Sequence, residues 1–170
     1  MTTRWASLFL GVSLLVPAAT TVRAVPGAST PEERQRVVAI AHKLEVTPLD
    51  QTLYPERDWA KQWVVENPDV RIRICTQLLA GLRFPKYKYR LEMGTQMMLS
   101  SAAFLIEHPD KVGDHLAENV GGMQGLLKAY SAIVKANPDA HAASLDDLLQ
   151  KQSQGKLVDQ VQETIKVCRF

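Results

Sequence analysis

The sequence has no uninterrupted apolar stretch long enough to cross a membrane as a helix. Its most apolar segment beyond the start, RLEMGTQMMLSSAAFLIEH at residues 90–108, is broken by Arg90, Glu92, Gln96, Ser100, Ser101 and Glu107. It therefore falls short of the ~18 consecutive apolar residues of a membrane span. There is also no HExxH, no paired CxxC and no G-x-S-x-G, so the zinc and serine-nucleophile sites most readily seen in a sequence are excluded. An excess of one charge is lacking as well. Without Arg4 and Arg23, both ahead of Ala24, the 20 basic residues fall to 18, against 18 acidic ones. The overall basic balance thus belongs to the start of the chain and does not indicate nucleic-acid affinity. Only two cysteines are present, Cys75 and Cys168.

The segment from Met1 to Ala24 has the three-part layout of a secretory signal peptide. Arg4 is the basic start, Leu8 to Val16 the short apolar centre, and Val22-Arg23-Ala24 a cleavage site ending in a small residue. No cysteine near Ala24 offers a lipid acceptor. The expectation is an exported chain, periplasmic or extracellular, cleaved near Ala24, with residues 25–29 a flexible leader and residues 30–170 a single helical domain. Removing 24 of the 170 residues leaves 146, enough for one domain with its own core. In an oxidising compartment an even cysteine count reads as a disulfide, here closing a loop of 93 residues between Cys75 and Cys168.

Periodicity and punctuation read as all-α. Thr30-Pro31-Glu32-Glu33 combines an N-cap, a proline in the first turn and a capping box, opening a helix over 31–45. A short turn follows up to Tyr54, and a helix from Pro55 carries Trp59 and Trp63 on one face until Asn67-Pro68. Residues 69–82 read as helical from Ile74, Cys75, Leu78, Leu79 and Leu82, although Val70 to Ile74 alternates as a strand would. The apolar residues of 90–108 cover nearly the whole helix circumference, which predicts a buried central helix of a compact bundle. Met97, Ala102, Phe104 and Leu105 are expected at its heart. Residues 111–136 form a long amphipathic helix with Gly121 and Gly125 on one side, suited to close backbone approach at Ala102 and Ala103, or to a kink. Ser144 with Asp147 caps the next helix, and a last one spans 156–168. KAYSAIVKANPDA, residues 128–140, resembles the second helix of a tetratricopeptide repeat with its closing proline. No second copy stands about 34 residues away, and no family is recognised across the whole chain.

Few residues suggest chemistry. Asp114, His115 and Glu118 bring a histidine and two carboxylates within one turn, a spacing open to a metal or a proton relay. The simpler reading is a solvated first turn with acids at its N-terminus, so neither a metal nor any other cofactor is expected. Ser100 and Ser101 lack a nucleophile's tight turn, and Met93, Met97, Met98 and Met123 read as core filling rather than copper ligands. The most site-like stretch is Arg83, Phe84, Lys86, Tyr87, Lys88, Tyr89 and Arg90, which interleaves cations with aromatics on an irregular segment. For an exported chain this points away from nucleic acid and toward an anionic envelope component, an acidic protein or a glycan. The plain alternative is a solvated loop with Tyr87 and Tyr89 packed on Trp59 or Trp63. The function expected is non-catalytic binding. The other classes considered are an envelope hydrolase using Glu107 or Glu118 and a carrier of a small apolar ligand in an internal cavity.

Overall fold

The structure, a computed structural model, describes residues 28–83 and 86–170, so the signal-peptide reading and Phe84 lie outside the described residues. Among those residues the regular structure is all helical: α1 (Pro31–Val46), α2 (Tyr54–Glu66), α3 (Arg90–Glu107), α4 (His115–Ala136), α5 (Ala143–Ser153) and α6 (Leu157–Ile165). No helix among them is long and apolar enough to cross a membrane.

Helix starts follow local chemistry where a cap exists. Thr30 Oγ1 accepts the Glu33 N–H and Glu33 Oε2 accepts the Thr30 N–H, the reciprocal capping box. Asp50 Oδ1 caps the 3₁₀ turn Gln51–Leu53 through the Thr52 N–H. The chain is engaged from Ser29, whose N–H and hydroxyl both donate to Asp69 Oδ2 beside Arg34.

Two buried clusters share the interior. One joins α1, α2 and the C-terminal half of α3 through Val37, Leu44, Trp63 and Leu99. The other joins the start of α3 to α4, α5 and α6 through Met93, Met97, Met123, Leu127 and Leu157. Helix α3 packs on α1, α2 and α4, while α4 packs on α1, α3, α5 and α6, so the α3–α4 pair forms the axis rather than α3 alone. Met97, Ala102 and Leu105 are buried as expected. Phe104 is only half-buried, because it lies across Gly121 and stacks on the His108 ring at 4.5 Å near the surface.

Four boundaries depart from the periodicity. Residues 71–75 are neither helix nor paired strand, Cys75 is extended, and a 3₁₀ segment follows at Thr76–Leu82. The alternation holds from Val70 to Ile74, with Val70 buried, Ile72 and Ile74 half-buried and Arg71 and Arg73 exposed, but side chains replace the partner strand. Glu118 Oε1 accepts the Arg73 N–H, Asn119 Oδ1 accepts the Cys75 N–H at 2.9 Å, and Asn119 Nδ2 donates to the Arg73 carbonyl at 2.9 Å. Helix α4 begins at His115 rather than near residue 111, since Pro109–Lys111 is a 3₁₀ turn and Gly113 takes φ +90° before Asp114 caps the helix. α5 begins without a side-chain cap, so Ser144 does not cap it. Asp147 instead pairs with Lys151 at 2.7 Å. Finally, α6 stops at Ile165, short of the expected 168.

Gly121 and Gly125 do serve close approach, and α4 runs unbroken through Gly121-Gly122. Their neighbours are Phe104 and Ser100 rather than Ala102 and Ala103, while Gly122 faces Ser101 and Met97. The two serines of α3 are thus the small residues that let α4 come near. Cys75 and Cys168 are paired, with Cα atoms 5.7 Å apart.

Candidate functional site

The basic turn folds back onto the end of α4. Tyr87 is buried and its hydroxyl donates to the Ala140 carbonyl at 2.9 Å, while Asn137 Nδ2 donates to the Tyr89 hydroxyl at 3.0 Å. These two bonds tie the turn to residues 137–140, where Asn137-Pro138 has stopped α4 and set a 3₁₀ turn at Pro138–Ala140. Tyr87 also packs edge-on to Tyr89 (5.8 Å) and Tyr130 (6.3 Å), whereas Trp59 and Trp63 pair with each other at 6.4 Å. Burial pushes the Tyr87 hydroxyl up to about 12, in keeping with a neutral donor.

Between the turn and residues 137–144 lies a groove of about 700 Å³. That volume falls within the range of small-ligand sites, ~300–1,000 Å³. Lys86, Tyr87, Lys88 and Tyr89 line it from the turn, and Asp139, His141 and Ser144 line it from residues 137–144. Lys86 and Lys88, like Lys61, Lys135 and Lys156, reach no carboxylate among the described residues, whereas Lys43, Lys111, Lys128, Lys151 and Lys166 each do. Lys88 Nζ instead lies 5.0 Å from the centre of the Tyr89 ring. Arg83 and Arg90 are exposed but do not border the groove.

Sequence reading missed the second wall. His141 Nδ1 stands 3.0 and 3.2 Å from the two Asp146 oxygens. Tyr130 donates to Asp146 Oδ1 at 2.6 Å and accepts the Ala142 N–H at 2.8 Å. Burial opposes the Asp146 charge, but the hydrogen bonds from Tyr130 and His141 outweigh it and hold the carboxyl below its usual range. The one signal in the sequence was a histidine shortly before an aspartate, too common a pattern to single out.

The other candidates resolve into structure. Asp114 caps α4 through the Ala117 N–H. Glu118 is 2 % exposed and its pKa is raised by burial, but it is occupied by the Arg73 amide and does not line the groove. His115 Nδ1 approaches Glu118 at 3.5 Å, beyond good hydrogen-bond distance, and its ring stacks on Phe170 at 4.4 Å. Among the described residues no group of three or more His, Cys, Asp or Glu is placed to hold a metal ion. Met93, Met97 and Met123 are wholly buried.

Glu107 enters a polar cluster the sequence did not suggest. His42 bridges Glu107 (Nε2, 3.0 Å) and Glu45 (Nδ1, 3.2 Å), and Lys128 reaches Glu45 at 3.0 Å, so α1, α3 and α4 meet there. The Glu107 hydrogen bond chiefly raises the His42 pKa above 6.5, against burial and with help from Glu45. A raised histidine pKa contributes stability that is fully present below 6.5 and is lost as the pH rises through the folded-state value. Urea midpoints of the wild type should therefore fall as the pH rises from 6.5, and His42→Asn should flatten that slope. Because His42 is half-exposed, the difference should stay below about 1 kcal/mol. Parallel pH curves for the two proteins would refute the bridge.

No protein family, curated protein or solved structure matches this chain.

Proposed function

We propose that this chain is an exported, non-catalytic binding protein that takes an anionic ligand in the groove between the Lys86–Tyr89 turn and residues 137–144. The observation that carries this reading is a built groove with two lysines free of carboxylate partners on one wall, among the described residues, its turn fastened by Tyr87 and Asn137. Export is supported by the signal-like segment from Met1 to Ala24 and by the Cys75–Cys168 pair, which suits an oxidising compartment. An aromatic wall beside cations adds contact area that bare charge lacks.

The test is charge reversal at the groove. Replacing Lys86 and Lys88 together by glutamate should leave the urea midpoint almost unchanged, since exposed substitutions usually shift stability by less than about 0.5 kcal/mol. The same variant should lose salt-sensitive retention of the anionic components of the envelope fraction, because attraction between exposed charges is screened beyond about 10 Å at 0.1 M salt. Equal retention by wild type and variant at low salt would make the turn a mere connection between helices.

A further inference from the structure

We propose that the groove selects a hydroxyl-bearing anion, in chemical class an acidic saccharide, and that His141 contributes to this selection together with Asp139. This rests on the reading of the groove as a binding site and adds what it binds.

Charge sets the first limit on the ligand. The sequence shows a run of cations, but the fold brings Asp139 into the same groove lining as Lys86 and Lys88, and hydrogen-bonds His141 to Asp146. The two ammonium groups thus share the groove with one free carboxylate, Asp139, so the site favours a ligand with few anionic groups over a polyanion.

Hydrogen-bonding capacity then defines the rest of the ligand. The lysine wall only donates. The opposite wall accepts. Asp139 is exposed, and its carboxylate makes no hydrogen bond or ion pair among the described residues, its amide being held by Asn137 Oδ1 at 3.3 Å. His141 is oriented by Asp146: an ionised carboxylate can only accept, so Nδ1 carries the hydrogen and, in the neutral imidazole, Nε2 presents its lone pair. Nε2 has no partner among the described residues, and the ring borders the groove. Tyr130, buried and bonded to both Asp146 and the Ala142 amide, holds this wall in place.

A ligand that satisfies both walls has an anion at one end and several hydrogen-bond donors at the other. Sugar hydroxyls meet that need, because a vicinal diol offers two donors to one carboxylate while a peptide offers a single N–H per residue. The C–H face of a sugar ring also suits the tyrosine-bearing wall. The groove volume of about 700 Å³ lies within the range of small-ligand sites, ~300–1,000 Å³, which has room for a disaccharide.

The test uses the full chain and four defined probes under mildly alkaline conditions: glucuronyl-glucose, cellobiose, glutarate and triglutamate. Calorimetry should show glucuronyl-glucose bound at least tenfold more tightly than cellobiose or glutarate. His141→Leu should cut the preference for glucuronyl-glucose over glutarate severalfold, the remainder resting on Asp139, and His141→Gln, which keeps a polar acceptor, should restore most of the loss. Lys86→Glu with Lys88→Glu should weaken both anions and leave cellobiose unaffected. If glutarate matches glucuronyl-glucose, or His141→Leu keeps the preference in full, the saccharide assignment falls while the anion groove stands. Preference for triglutamate would reassign the site to acidic peptides. If none of the probes binds the folded wild type, both the assignment and the groove reading fall.

Discussion

Reducing the Cys75–Cys168 bridge should lower the unfolding free energy by on the order of 4 kcal/mol, the largest effect expected from any single bond in this chain. The bond closes a loop of 93 residues, and in the chain-entropy account such a long cross-link removes many conformations from the unfolded ensemble. Leu157 and Val161 are the buried residues of α6, and beyond Ile165 the other holds are the Cys168 N–H bonded to the Ile165 carbonyl at 2.9 Å and the Phe170 ring stacked on His115 at 4.4 Å. At the other end Cys75 is independently anchored by Asn119, so its segment should keep its place after reduction while the C-terminal residues loosen. Urea unfolding with and without reductant, repeated on the Cys75→Ala, Cys168→Ala pair, measures the effect. Coincident midpoints for oxidised and reduced protein would show that the bridge contributes nothing.

The second large effect concerns Gly125, where a methyl group should destabilise the fold even though alanine is the better helix former. A Cβ there would stand 2.5 Å from Ser100 Cβ and 2.7 Å from Glu45 Oε1, both parts of the junction of α1, α3 and α4. Alanine gains up to about 1 kcal/mol of helix propensity over glycine. Overpacking a tight contact costs about 1–3 kcal/mol, and Ser100 Cβ cannot turn away because it is fixed to the α3 backbone. Gly125→Ala should therefore lose stability, and Gly125→Val should lose more while disturbing the Lys128–Glu45–His42 bridge. Gly94→Ala is the internal control. Nothing lies within 4 Å of its added carbon, and it sits inside α3, so it should stabilise by roughly 0.5–1 kcal/mol. Stabilisation of both variants in thermal or urea unfolding would mean that α3 and α4 do not approach as described.

These two glycines illustrate how far the sequence reaches. Both stand in helical patterns, and nothing near either one says that Gly125 meets a serine from another helix while Gly94 meets open space. What the sequence determined by itself was short in range: the helix opened by the Thr30–Glu33 capping box, the stops at Asn67-Pro68, His108-Pro109 and Asn137-Pro138, and the cysteine pairing, which two cysteines reduce to one choice. Those signals work because a cap or a proline acts within one helical turn. Tertiary structure alone decided the rest. Residues 69–82 read as helical, but residues 71–75 form no helix, and their hydrogen-bond partners are the side chains of Glu118 and Asn119, far along the sequence on α4. The cation–tyrosine turn was legible as a candidate, but the Asp139–His141 wall that makes it a groove was not. Backbone rules link near neighbours, whereas a groove forms from side chains whose meeting depends on how distant helices pack.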